Sequence, residues 1–229
     1  NIAISNRKKT AELEALQSQI NPHFIYNTLE MIRMTAEASR NIEVSEMAYT
    51  FGRLLRYSIN RGNEIVTVER ELEHLQLYMR VQNYRFPDKY KLTIRIDPEL
   101  MQYRMIKLLF QPIVENAIFH GLEKSRNSCE ILLYSVINES HVRFVISDNG
   151  VGMDETTLER VRRAVYSPAP SSGEDHERGI GLRNVHERIV LHYGNAYGLS
   201  IHSTPGEGTQ VELKLPLAYA LGTHGEETT

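Results

Sequence analysis

Glycines stand beside fixed polar groups at three places within about seventy residues: Glu115–Gly121 (ENAIFHG), Asp148–Met153 (DNGVGM) and Arg178–Asn184 (RGIGLRN). The combination suits a phosphorylated nucleotide. Glu115 and Asn116 lie mid-helix among apolar residues, where a charge and an amide need partners. Asn116 offers the hard oxygen that Mg²⁺ prefers. Glu115 can serve as a general base or hold a metal-bound water. The competing reading makes the pair a helix end turning to solvent. His120 reads equally as a phosphate contact or as a cap before Gly121. The Asp148 carboxylate can accept a hydrogen bond from the exocyclic amine of adenine, which guanine does not present at that edge. Gly150 and Gly152 let the backbone approach the base, although DNG alone is an ordinary turn signal. Gly179 and Gly181 precede a helix expected to open at Leu182, where free N–H groups and the positive helix end can seat phosphates. Arg178 and Asn184 add polar contacts there, while a lone GxG also marks a plain helix start. Thr209 either reaches the base region or simply follows the Gly206–Gly208 turn.

A fourth feature supplies an acceptor. In INPHFIYNTL (Ile20–Leu29), His23 and Asn27 are four apart and share a helical face. A neutral imidazole can attack a γ-phosphate, and imidazoles ordinarily titrate near ~6.5. Asn27 can fix the tautomer. Phosphoryl transfer then needs chiefly positioning and charge neutralisation. The bland alternative is a polar pair that fixes the register of an apolar helical seam.

The elements that must carry these groups follow from periodicity. Leu13, Leu16, Ile20, Asn27, Met31 and Met34 recur at helical steps, with Pro22 either starting a helix capped by Asn21 or kinking a longer one. After a turn at Ser39–Asn41, Val44–Ile59 continues as a second amphipathic helix. Two such helices cannot fully bury their stripes on each other, so a four-helix bundle in a homodimer is expected. Gly62-Asn63 ends that region, and Thr67 caps a helix running to about Arg85. Helices over Met105–Leu122, Glu155–Val165 and Leu182–Tyr193 alternate with strands over Lys91–Asp97, Glu130–Ile137, His141–Ser147, Gly198–Ser203 and Thr209–Leu215. The fold class is α+β, a helical hairpin followed by a two-layer sandwich. Domains are expected at 1–63 (dimerisation and phosphoacceptor) and 64–222 (nucleotide binding), with a loose polar tail at 223–229. The segment Asp154–Glu177 suits a lid.

The 229 residues carry a net charge of −3, which gives no bulk attraction to nucleic acid. The one cysteine, Cys129, excludes an internal disulfide and reads as a buried strand thiol. No apolar run approaches the roughly 20 residues of a membrane span. The first residue is Asn1 rather than Met, so an upstream membrane segment stays open.

ENAIFHG, DNGVGM, GIGLRN and GEGT resemble the ATP-binding boxes of the GHKL superfamily, which includes histidine kinases, gyrase-type topoisomerases, mismatch-repair ATPases and heat-shock chaperone ATPases. The resemblance covers roughly Glu64–Pro216 and implies the Bergerat fold, with ATP bound under a flexible lid. It implies that Asn116 holds Mg²⁺, that Glu115 is the catalytic base or its organiser, that Asp148 reads adenine, and that Gly179 and Gly181 cradle phosphate. Many kinase members carry a basic residue three positions after the Asn; Phe119 stands there in this chain, leaving His120, Lys124 or Arg178 as substitutes. QINPHFIYNTL resembles the phosphoacceptor motif of LytS/YesM-type sensor histidine kinases, with Glu30 where the pattern ends in Asn. This wider resemblance implies a homodimer that autophosphorylates His23 from ATP and passes the phosphoryl group to an aspartate of a response regulator. It implies the cytoplasmic kinase portion of a cell-membrane receptor. The alternatives are a nucleotide-binding scaffold in which His23 is structural, and a GHKL ATPase or serine kinase acting on another partner.

Overall fold

The computed structural model describes residues 22–59, 64–122, 129–167 and 175–217; the side chains of residues 120–122 and 175–179 fall outside the description. The expectations for Leu13–Asn21, Gly62-Asn63, Lys124 and the tail therefore lie outside the described residues. Two compact units divide the chain, Asn1–Asn60 and Arg61–Thr229.

The first unit is a hairpin of α1 (Pro22–Ala38) and α2 (Ile42–Ile59). Its turn is specified by hydrogen bonds. Asn41 N–H donates to Ala36 O at 2.8 Å and Arg40 N–H to Glu37 O at 2.9 Å, with Arg40 at φ +56°. This is the Schellman closure, which satisfies the last carbonyls of α1. Asn41 then caps α2 by accepting the N–H of Val44 at 3.2 Å. The hairpin buries Ala36, Ala48 and Leu54, yet leaves Phe24 68%, Met31 64% and Met34 59% exposed. The two stripes thus bury only part of each other, as the periodicity requires.

The second unit begins with β1 (Ile65–Thr67), which pairs antiparallel with β3 (Arg104–Ile106). Thr67 caps α3 (Val68–Arg85) by accepting the N–H of Arg70. A five-stranded sheet follows in the order β2-β4-β5-β7-β6: β2 (Tyr90–Arg95), β4 (Cys129–Ile137), β5 (His141–Asp148), β7 (Gly208–Pro216) and β6 (Gly198–Thr204). Only β2 and β4 run parallel; the other pairs are antiparallel. Helices α4 (Phe110–Asn116), α5 (Glu155–Tyr166) and α6 (Asp175–Tyr193) complete the helical layer. Phe144 of β5 lies at the centre, its ring 5.3 Å from Phe110 and 5.9 Å from Tyr103. The α+β expectation holds. Among the described residues, no helix is long and apolar enough to cross a membrane.

Two helix boundaries need correction. The helix expected over Met105–Leu122 is three elements: β3, α4, and a π-helix at Ala117–Leu122. Pairing with β1 claims Met105 and Ile106, and Leu108, at φ +59°, blocks any continuous helix. The start of α4 has an unusual partner. The carboxylate of Glu71, only 1% exposed, accepts the N–H groups of Leu108 at 2.7 Å and Leu109 at 3.1 Å. Arg188 of α6 donates to Lys107 O at 2.8 Å from the other side. Glu71 thus serves the start of a second helix, although it lies in the first turn of its own. The second correction is that α6 begins at Asp175 rather than Leu182, and so takes in Arg178, Gly179 and Gly181.

Candidate functional site

The cavity that gathers the nucleotide motifs has a volume of about 210 Å³ and lies between α4, α5, α6 and the sheet. Asn116, Asp148, Gly152, Leu182 and Thr209 all line it. Its size is below the roughly 300–1,000 Å³ of whole-ligand clefts, which matches a flat base rather than a complete nucleotide. The walls are chiefly apolar.

Among the described residues, Asp148 is the one charged side chain lining this cavity, and it is 7% exposed. It sits at the end of β5, opposite Ile131 of β4 and Thr209 of β7. Burial pushes its carboxyl up to about 6, against the opposing pull of N–H groups from Gly150 and Thr209. Gly150 donates at 2.8 Å and so contributes through its backbone. Asn149 is structural: its side chain accepts the N–H of Glu130 at 2.8 Å.

Gly152 is required by geometry. It has φ +65°, and a Cβ there would stand 1.9 Å from Thr204 O. Gly152→Ala is therefore expected to lower stability by about 3 kcal/mol or more. Equilibrium denaturation measures the loss, and an unchanged midpoint would contradict it.

Asn116 ends α4, half-buried. Its Nδ2 donates to Pro112 O at 2.6 Å, so Oδ1 is the side chain's acceptor oxygen. A Cβ on Gly181 would lie 3.1 Å from that Nδ2, so the absent side chain is what lets α6 approach Asn116. The second glycine motif thus reaches the site as a helix face. The N–H groups of Gly179 and Gly181 belong to the helical ladder, and the first turn's free N–H groups fall upstream of them. This corrects the expectation of an open loop ahead of the helix. The side chains of His120, Arg178 and Gly179 lie outside the described residues. Asn184 is exposed on α6 and does not line the cavity.

Glu115 also stands off the cavity lining. Its Oε1 accepts from Gln111 Nε2 at 2.7 Å, and Gln111 Oε1 is hydrogen-bonded to His74 Nε2. His74 is 2% exposed, and burial holds its imidazole below the ordinary range. A neutral His74 with its proton on Nε2 orients the Gln111 amide, which in turn fixes one oxygen of Glu115. Sequence spacing missed this relay because its members come from two helices.

Other residues missed earlier are Thr157 and Val161 of α5, and Ser203. Of the lid expected over Asp154–Glu177, residues 168–174 lie outside the described residues. Glu155–Tyr166 is a helix fixed to β6 by Tyr166 Oη to Leu199 O at 3.0 Å and Arg162 to Ile201 O at 2.9 Å. His186 is structural: Nδ1 accepts the N–H of Leu199 at 3.2 Å, and the ring packs against Gly198 and Tyr166.

In the first unit, His23 and Asn27 are exposed neighbours on α1, with Asn27 Nδ2 3.2 Å from His23 Nδ1. In this contact the amide donates to Nδ1, which puts the imidazole proton on Nε2. Turning the amide over presents Oδ1 to an Nδ1–H and frees the Nε2 lone pair.

Comparison with known proteins agrees with these motifs. Residues 11–90 match the histidine kinase family model, and residues 101–219 match that of the histidine kinase-, DNA gyrase B-, and HSP90-like ATPases. Sensor histidine kinase YesM of Bacillus subtilis (strain 168) is 41% identical over 208 residues, 91% of this chain and 34% of the relative. Sensor protein LytS of Bacillus anthracis is 31% identical over 90% of this chain and 34% of its own length. Sensor protein kinase HptS of Staphylococcus aureus (strain USA300) is 28% identical over 93% of this chain and 39% of its own. The chain thus spans about a third of the length of these curated relatives. The chain belongs to the histidine kinase-, DNA gyrase B-, and HSP90-like ATPases, and its residues 11–90 are similar to the histidine kinase family.

Proposed function

We propose that this chain is an ATP-dependent histidine autokinase: it binds Mg-ATP, phosphorylates His23 and passes the phosphoryl group to an aspartate of a response regulator. The observation that carries the reading is the convergence of Asn116, Asp148, Gly152, Leu182 and Thr209 on one cavity from separated motifs. The exposed His23–Asn27 pair favours it over the scaffold reading, since a residue serving only packing has no need of solvent access.

In this reading ATP supplies the phosphoryl group and Mg²⁺ neutralises its charge. Asp148 selects the base by accepting its amine, with Gly150 holding the carboxylate's inner face. Asn116 offers Oδ1 to the metal. Among the described residues no group of three or more His, Cys, Asp or Glu gathers as a metal cage. Mg²⁺ commonly relies on one or two protein oxygens with substrate phosphates and water. Gly179 and Gly181 contribute N–H groups once the first turns of α6 loosen, and glycine makes that loosening cheap. Glu115, held through Gln111 and His74, takes the proton or orders a metal-bound water. Asn27 sets the tautomer of His23, whose neutral ring attacks.

The unfilled apolar face of α1 and α2 supports the homodimer, with 1–63 as its dimerisation and phosphoacceptor region and 64–222 as the catalytic domain. A cell-membrane location would come through an upstream segment, which places the kinase on the cytoplasmic side.

Asn116→Ala is expected to lower Mg-ATP turnover by at least ~100-fold while the far-UV circular dichroism and melting midpoint stay near wild type. The side chain's recorded bond is a local one within its own helix. Normal kinetics in this variant would refute the metal role.

A further inference from the structure

Ser203 sits on β6 directly opposite Thr209 of β7, and its hydroxyl is surrounded. It accepts the N–H of Met153 at 2.9 Å, donates to Gly208 O at 2.8 Å, and lies 2.9 Å from Thr209 Oγ1. A serine hydroxyl has one hydrogen. That hydrogen is committed to the Gly208 carbonyl. The Ser203–Thr209 bond therefore takes its hydrogen from Thr209, and Thr209 has only lone pairs left to offer the cavity it lines.

We infer that Ser203 is a specificity-determining residue: it locks the Thr209 hydroxyl as an acceptor, so that the floor of the cavity accepts a 6-amino purine and rejects a 6-oxo purine. This rests on reading the cavity as a base seat. Asp148 by itself provides an acceptor, but a freely rotating hydroxyl beside it would adapt to either ligand edge. With Thr209 fixed, a carbonyl at the purine 6-position meets lone pairs on both sides, and no donor turns toward it. Sites that leave a buried polar group unpaired discriminate far more strongly than sites that merely lose a contact.

The test compares ATP with inosine triphosphate, which has a carbonyl at the purine 6-position and a proton on N1, by titration calorimetry on the whole chain. Wild type is expected to prefer ATP by at least ~100-fold. Ser203→Ala frees the Thr209 hydroxyl to donate, and the preference is expected to fall roughly tenfold, mostly through tighter inosine triphosphate binding. An unchanged ratio in a folded Ser203→Ala protein overturns the assignment. That variant also strips partners from Met153 N–H and Gly208 O, so Thr209→Val is measured beside it. Thr209→Val is expected to weaken ATP while leaving inosine triphosphate unchanged; equal losses overturn the proposal whether or not Ser203→Ala folds. The double variant should show no gain for inosine triphosphate, and a gain there likewise overturns it. A wild type that holds ATP without preference defeats the acceptor assignment alone. One that holds neither nucleotide defeats the base-seat reading beneath it.

Discussion

His23→Gln is expected to abolish the acid-labile, alkali-stable phosphoryl label that the proposed autokinase would acquire from Mg-ATP. The expected loss is at least ~10³ in rate, because removing an essential nucleophile leaves only background transfer. The substitution is chosen to isolate chemistry from structure. Glutamine keeps an amide near Asn27, the site is exposed, and exposed substitutions of this kind usually shift stability by no more than about 0.5 kcal/mol. Nucleotide affinity should persist, since the cavity residues all lie in the other unit. Label surviving in this variant would move the acceptor elsewhere and favour the scaffold or ATPase readings. Asn27→Ala offers a graded companion. It leaves the ring but frees its tautomer, so rate should fall while the label stays on His23.

The strands and the outer helices were legible because their periods are strong and local. β4, β5, β6 and β7 fall within a residue or so of the alternating runs, and Thr67 was readable as a cap. What escaped depends on partners distant in sequence. β3 is a strand only because β1 lies beside it, and Met105-Ile106 alone look like a helix start. The first turn of α4 depends on the carboxylate of Glu71, 37 residues upstream of Leu108. The glycine motif was expected as a loop since glycine seldom sits inside helices, yet α6 runs through Gly181 where its bare face meets Asn116. Of the site, Asn116, Asp148, Gly152, Leu182 and Thr209 were visible as motif members and do line one cavity. The Gln111–His74 relay and Ser203 were not visible, for hydrogen-bond networks across elements leave no spacing in the chain.

Asp148→Asn should separate function from stability in opposite directions. The carboxylate's folded value, about 6, lies above the ordinary 3.8, so its contribution to stability is fully present below about 3.8 and is lost as pH rises through about 6. At pH 7 the fold therefore bears an ionised, buried group, at a cost on the order of 3 kcal/mol. An amide removes that cost but offers one acceptor oxygen where the carboxylate offers two to the N–H groups of Gly150 and Thr209. Losing one such bond costs about 1–2 kcal/mol, so a net gain of roughly 1–2 kcal/mol at pH 7 remains. ATP binding moves the other way, since a charge-assisted bond to the amine is worth about 1.5–3 kcal/mol and affinity should drop about 10- to 100-fold. The wild type itself should lose ATP affinity on acidification through pH 6, as protonation does what the substitution does. Denaturation midpoints of both proteins from pH 4 to 7.5 test the argument, because the difference between them isolates this group from other titrating carboxylates. The variant should be slightly less stable than wild type near pH 4, where the lost bond outweighs the small charge cost, and should gain on it until about pH 6.5. Parallel curves across that window, or an ATP affinity unmoved by the amide, would show that Asp148 is neither the buried charge nor the base reader.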